Sequence, residues 1–245
     1  MKYWLTNGRA EDPEVFDAQV RAVCEHYAEA RELRGAGVHL VSTDEKTGIQ
    51  ALGRAHPTLP MERELVERVE SEYVRHGTLC LIANVEVATG KVIASSIGPT
   101  RTSEDFAAHV AGTIATDPDA GWVFVVDGLN THQSEVLVRL VATACGIELD
   151  EDREGRLVGL RAMASRRTFL ADPEHRIRFV YTPKHCSWLN QVELWFSILV
   201  RRLLKRGSFT SVEHLKERIL AFIEYFNRTM AKPFKWTYKG RPLQV

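Results

Sequence analysis

Two aspartates stand where β-strands are expected to end. Residues 38–44 read VHLVSTD, a short β-rich run whose last residue is Asp44, and residues 121–127 read GWVFVVD, closing on Asp127. The second run is almost continuously apolar, which predicts a strand buried on both faces. Open α/β sheets bind their ligands at the carboxyl ends of strands. One aspartate after a strand is ordinarily a turn-former or helix cap; two on candidate neighbouring strands point to a shared site.

A third carboxylate, Glu193, follows Leu189 by four residues and precedes Phe196 by three and Val200 by seven. That spacing predicts a helix on which Glu193 shares the apolar stripe rather than the solvent face. Uncompensated there, it would cost on the order of several kcal/mol. Its compensation is either a hard divalent cation or an arginine such as Arg54 or Arg101. Asn190, one turn back, is placed to supply an oxygen or to position a phosphate. Three converging carboxylates suit Mg2+ or Mn2+. Two such ions roughly 3.5 to 4 Å apart can activate an attacking oxygen and stabilise a leaving one, the chemistry a phosphodiester requires.

Other polar and aromatic residues leave alternatives open. His132 and His185 could touch a scissile phosphate or an attacking water, or could be hydrogen-bonded structural histidines, the commoner role. Trp188 and Trp195 are expected in the core, with base stacking the other reading for Trp188. Arg201, Arg202, Lys205 and Arg206 follow the glutamate. Lys232, Lys235, Lys239 and Arg241 alternate with Phe234, Trp236 and Tyr238. This pattern suits a DNA strand, with charges on phosphates and rings on bases. It equally suits a tail that packs its aromatics on the domain and solvates its lysines.

Several elements must position these groups. Residues 12–32 have a helical apolar period after an Asp-Pro start. Residues 78–87 and 91–97 flank the turn Ala88-Thr89-Gly90 and predict an antiparallel hairpin. Residues 103–116 predict a helix capped by Ser103, residues 134–145 another, and residues 177–182 a strand stopped by Pro183. Residues 188–205 and 211–227 predict two closing helices. Residues 148–172, charged and without clear period, look inserted. The sum is a mixed sheet with helices on both faces.

Composition bounds the rest. The 245 residues, 44% hydrophobic and 26% charged, are enough for one large domain. No apolar run reaches the roughly 20 residues of a membrane span, and no secretory leader opens the chain, so a cytoplasmic location is expected. Cys24, Cys80, Cys145 and Cys186 are scattered singly, which predicts reduced and mostly buried thiols rather than a zinc site. The net charge of zero conceals an asymmetry. Residues 176–245 hold 14 basic and 4 acidic residues, a balance of +10, leaving −10 for the rest. A basic C-terminal third is either a footprint for a polyanion or a solvated helix face.

Four blocks give the chain a family resemblance: STDEKTGIQALGR (residues 42–54), VVDGLNTHQS (125–134), YTPKHCSWLNQVELWFSILVRRLLKRGSF (181–209) and YFNRTMAKPFKWTYKGRPL (225–243). In this order they resemble bacterial insertion-sequence DDE transposases of the mariner-like superfamily, and the resemblance runs over residues 1–243. It implies a linker and helix over residues 1–36 and an RNase H-like catalytic domain with a five-stranded sheet over residues 37–243. It also implies an acidic triad of Asp44, Asp127 and Glu193 that binds two Mg2+ or Mn2+ ions, for cleavage and strand transfer at insertion-sequence ends. DNA contacts are then expected from Lys184, Trp188, Asn190, Arg201, Arg202, Lys205, Arg206, Lys232, Lys235 and Lys239. Transposon ends and target DNA are the expected partners, with a homodimer in the active complex and a nucleoid-associated place in the cytoplasm.

The chain departs from the family in two ways. Asp127 and Glu193 lie 66 residues apart, longer than in many relatives, which the segment 148–172 accounts for. The resemblance implies helix-turn-helix modules that read transposon ends, and these are not expected within this sequence, since Lys2 to Thr6 resembles the linker that follows them. A separately encoded helix-turn-helix half is therefore an expected partner. Two rivals stay open: a noncatalytic, regulatory DNA-binding fragment, and a related metal nuclease without strand transfer.

Overall fold

The computed structural model describes residues 12–57, 59–68 and 70–238. The linker expected at Lys2 to Thr6, and Lys239 and Arg241, lie outside these residues. Helix α1 (Pro13–Gly35) starts where the sequence signals it: the Asp12 side chain accepts from the Val15 N–H, and proline occupies the first turn, where no donor is lost. Strand β1 (Val38–Arg54) follows, then β2 (Tyr73–Glu86) and β3 (Val92–Gly98), helix α2 (Ser103–Ile114), strand β4 (Gly121–Val126), helix α3 (Glu135–Cys145), helix α4 (Met163–Leu170), strand β5 (Ile177–Tyr181) and helices α5 (Val192–Leu199) and α6 (Val212–Thr229).

The strands form one sheet in the order β3-β2-β1-β4-β5. β1, β2 and β3 pair antiparallel, whereas β4 pairs parallel with both β1 and β5. The hairpin expected around Ala88-Thr89-Gly90 is β2-β3. Helix α2 is capped by Thr102 rather than Ser103: Thr102 accepts from the Asp105 N–H while the Asp105 carboxylate accepts from the Thr102 N–H, a reciprocal pair that a cap one residue later could not form.

Three apolar clusters lock the layers. Phe106, Val110, Leu137, Val138, Phe124 and Phe179 pack α2 and α3 on one face. Val20, Val23, Tyr27, Leu40, Val123 and Val125 fix α1 on the other. On that second face Leu81, Ala83, Val85, Trp195, Leu199, Ile219 and Phe226 seat α5 and α6 over β2. The charged segment 148–172 contains a bridge between Glu151 and Leu157 and then α4. Between β1 and β2 the chain continues as an exposed arm with antiparallel bridges Leu59–Arg68 and Glu62–Leu65. All four cysteines are free, three of them buried. Among the described residues no helix is long and apolar enough to cross a membrane.

Candidate active site

Asp44 does not end its strand, as the sequence suggests, because β1 runs on to Arg54 against β2 through two register irregularities. What ends is the parallel pairing with β4, whose last partners are Ser42 and Val125. Two residues further on come Asp44, still in β1, and Asp127, one residue past the end of β4, so the register sets them level at the sheet's carboxyl edge. Side chains alternate along β1. Leu40 faces the α1 cluster and Val41 the α2–α3 cluster, so Asp44 falls on the α1 side and Glu45 on the opposite one.

Asp44 is held from the α5 side. The Asn190 amide donates to the Asp44 carboxylate (3.3 Å) and the Thr43 carbonyl (2.9 Å), and its oxygen accepts from the Ser42 hydroxyl. The Ser42 oxygen in turn accepts from the Val192 N–H at the start of α5. Asn190 is only 1% exposed, so it braces Asp44 and does not reach DNA as expected. The Tyr27 hydroxyl donates to the Leu189 carbonyl (2.8 Å) and accepts from the Gln191 N–H. Together these bonds tie α1, β1 and the glutamate-bearing helix into one unit.

Asp127 is held by His132, which sequence reasoning left between catalytic and structural roles. The ring is 0% exposed, its Nδ1 lies 2.8 Å from the Asp127 carboxylate and its Nε2 lies 3.1 Å from that of Glu45, whose side chain is 1% exposed. Glu45 was missed; only its place beside Asp44 could have signalled it. Burial works against charge on His132, but the two carboxylates prevail and push it up to about 9. For Asp127, burial raises the carboxyl's pKa, but His132, the Leu129 N–H and Arg101 outweigh it and hold the group below its ordinary value. Asp44 goes the other way: burial first, then the charges of Asp127, Glu45 and Glu193, push it up to about 7.

Glu193 is exposed, contrary to its expected place on the buried stripe. Val192, Trp195, Phe196 and Leu199 form that stripe, and Glu193 stands at its edge, where protein gives way to a hollow lined by Lys46, Phe196, Ser197, Val200 and Arg201. No ion pair joins it to Arg54 or Arg101 among the described residues; the Arg54 guanidinium instead donates to the Glu70 carbonyl.

The charges of Asp127 and Glu193 both act on Asp44. Among the described residues, however, no three His, Cys, Asp or Glu side chains stand close enough to hold one ion together. The donor set still fits a hard divalent cation: it is all carboxylate oxygen, and a cation would offset both the burial and the neighbouring charges that raise Asp44.

The expected DNA contacts divide by position. Lys184, Arg201, Arg202, Lys205, Arg206, Lys232 and Lys235 are exposed. Trp195 is core, but Trp188, expected there too, is 53% exposed and meets Tyr238 edge-on; the short 3-10 turn Ser187–Leu189 turns Leu189 inward instead. His185 is exposed and takes a left-handed φ of 63° in the turn before α5. The tail keeps the packing reading of its aromatics: Phe234 joins the α5–α6 cluster, and Trp236 and Tyr238 join that of α1. It crosses the β2-β3 turn so tightly that a Cβ on Gly90 would stand 2.0 Å from the Lys232 carbonyl oxygen.

The family model described as DDE superfamily endonuclease matches residues 39–216, a span containing all three acids. No curated protein sequence matches the chain. Among solved structures, the Mos1 mariner paired end complex with Mn is similar at a TM-score of 0.52 and 13% identity, over 93% of this chain and 61% of that one. The catalytic domain of Mos1 mariner transposase is similar at 0.51 and 11%, over 93% of this chain and 89% of that one. At such identities the likeness is one of fold, the RNase H-like mixed sheet. The chain spans about three fifths of the longer Mos1 chain.

Proposed function

The chain belongs to the DDE superfamily endonucleases, and from that premise we propose that it is the catalytic domain of a transposase, cutting DNA at the ends of an insertion sequence and joining those ends to target DNA. The observation that carries this reading is the placement of Asp44 on β1 level with Asp127 just past the end of the parallel β4, with the charge of Glu193 acting on Asp44. Asp44, Asp127 and Glu193 would hold two Mg2+ or Mn2+ ions. When bound, such ions lower the cost of forming an attacking oxyanion and of expelling the leaving one.

The chain's own residues do the rest. Asn190 keeps the Asp44 carboxylate turned to the edge, so no rotamer search precedes catalysis. Glu193, exposed beside Lys46 and Arg201, lies where a phosphate backbone would enter between a carboxylate and two cations. Lys184, Lys205, Arg206, Lys232 and Lys235 would neutralise flanking phosphates, and Trp188, 53% exposed, would stack on an unpaired base. A homodimer would bring two ends together, and a helix-turn-helix half, in this polypeptide or another, would read them.

The test is Mg2+-dependent joining of a pre-cut oligonucleotide, carrying the repeat that flanks the coding sequence, to a target plasmid, wild type against Glu193→Gln. Joined product from the wild type and none from the variant is expected. Nicking without joined product would favour the metal nuclease. DNA bound without nicking or joining would favour the regulatory fragment.

A further inference from the structure

We propose that His132 is a positioning residue, a buried clamp whose Nδ1, 2.8 Å from the Asp127 carboxylate, holds that carboxylate by ion pairing while Glu45 anchors the far side of the ring. The inference rests on the reading of Asp127 as a metal-holding acid. Asp127 lies one residue past the end of β4, where the ladder no longer dictates its side-chain direction. Its own backbone gives little help: its carboxylate accepts from the Leu129 N–H at 3.0 Å, a local bond that any turn aspartate makes. The ring holds both ends of the residue: Nδ1 hydrogen-bonds the Asp127 carbonyl at 3.3 Å and lies 2.8 Å from its carboxylate.

The ring itself is immobilised on every side. Nε2 meets Glu45 across 87 residues of chain at 3.1 Å. The Phe106 ring packs against it, tilted by 40°, with centroids 4.2 Å apart. The His132 carbonyl accepts from the Tyr181 hydroxyl at 2.8 Å, and the 3-10 turn Asn130–Gln133 fixes its backbone. A buried histidine with both nitrogens on carboxylates is an expensive arrangement for a core that needs only volume filled. Glu45, its side chain 1% exposed on the α2–α3 side, has no other side-chain hydrogen bond or ion pair among the described residues. Asp44 and Asp127 are thus braced independently, one by Asn190 from the α5 side and the other by His132 from the α2 side.

The experiment compares His132→Asn, His132→Gln and Glu45→Gln with the wild type. An asparagine amide sits near the position of Nδ1 and keeps a donor for Asp127; a glutamine amide sits near Nε2 and keeps only the contact with Glu45. Three readouts are taken: melting temperature of the metal-free chain, Mn2+ affinity by calorimetry, and Mn2+-dependent nicking of supercoiled plasmid. Partners that orient a metal-binding group are typically worth 10- to 100-fold in affinity or activity. His132→Asn should therefore stay within about threefold of wild type in Mn2+ affinity, whereas His132→Gln loses about tenfold or more, at similar melting temperatures.

Equal losses in the two variants that track melting temperature, or a His132→Gln variant that binds and nicks like the wild type, would overturn the proposal. If both histidine variants fail to fold, Glu45→Gln decides: Mn2+ affinity down severalfold with the fold intact is expected, and unchanged affinity overturns the clamp. A wild-type chain that neither binds Mn2+ nor nicks DNA would instead defeat the transposase reading, and the clamp with it.

Discussion

Asp44 and Asp127 have the same side chain and opposite titration behaviour, and the difference comes from neighbours. Asp127 has a cationic ring at 2.8 Å; Asp44 has burial, an amide and other carboxylates. The sign for stability follows. Because Asp44 is pushed from 3.8 to about 7, the folded chain retains a proton that the unfolded chain has released, so without metal its contribution to stability falls as pH rises through that window. Asp44→Asn removes this slope. In urea titrations without metal the variant should exceed the wild type by about 1–3 kcal/mol at about pH 8 and differ little at about pH 4, while losing all nicking activity. His109 supplies the opposite slope. Burial, with the charge of His132 adding to it, pulls it down to about 3, so its stabilisation is complete above its ordinary 6.5 and is lost as pH falls towards 3. His109→Gln should flatten the acid limb of the same titration. Both aspartates were legible in the sequence because a strand pattern ending in an acid is a local signal. The His132–Glu45 contact was not, since nothing within five residues of His132 says what its far nitrogen will meet.

Elements deliver the third acid, and here local pattern misled. Residues 188–205 have one apolar period but form a 3-10 turn, a break at Asn190–Gln191, the eight-residue α5 and a π turn at Val200–Leu204. Periodicity records which face is apolar. It cannot record that the Asn190 side chain and the Val192 N–H are taken by Ser42 and Thr43, nearly 150 residues away. The break is what aims α5, and Tyr27 holds it from beneath. Tyr27→Phe leaves a buried carbonyl at Leu189 short of its donor, which should cost about 1–3 kcal/mol in urea unfolding. If the break aims Glu193, nicking should fall by more than the lost folded fraction explains; nicking that merely follows that fraction would make Tyr27 a stabiliser of α1 alone. A strand irregularity went equally unseen. Between Ile82 and Asn84 of β2, β3 accommodates an extra residue, and Ala94 adopts φ 47° there. Left-handed backbone costs alanine about 1–2 kcal/mol, part of which glycine returns as chain entropy. Ala94→Gly should thus raise the melting temperature by an amount equivalent to ~0.5–1 kcal/mol.

At the scale of the whole molecule, the sequence indicated a mixed sheet with helices on both faces, and the sheet has that form because a hairpin followed by two parallel crossovers leaves few other orders. The arm between β1 and β2 escaped notice, since exposed residues such as Met61 and Val66 follow no period. Charge is likewise distributed by the fold rather than by position in the chain. The sequence grouped Arg201 and Arg202 in one basic cluster, but successive helical side chains point about 100° apart. Arg201 joins Lys46 and Glu193 around one hollow, whereas Arg202 joins Arg218, Phe222 and Tyr225 around a separate groove. Lys46 is a β1 residue from the acidic part of the chain, so net charge by segment could not have marked it. If DNA follows the acids, Lys46 and Arg201 each neutralise a phosphate and Arg202 does not. Each lost contact lowers the slope of log affinity against log salt by about 0.9 in duplex DNA. Filter-binding titrations across a range of salt should therefore show Lys46→Ala and Arg201→Ala each reducing the slope by about one and their double variant by about two, with Arg202→Ala close to the wild type. The opposite ranking would put the DNA in the Arg202–Arg218 groove rather than in the hollow that Glu193 lines, and would count against a path along the acids.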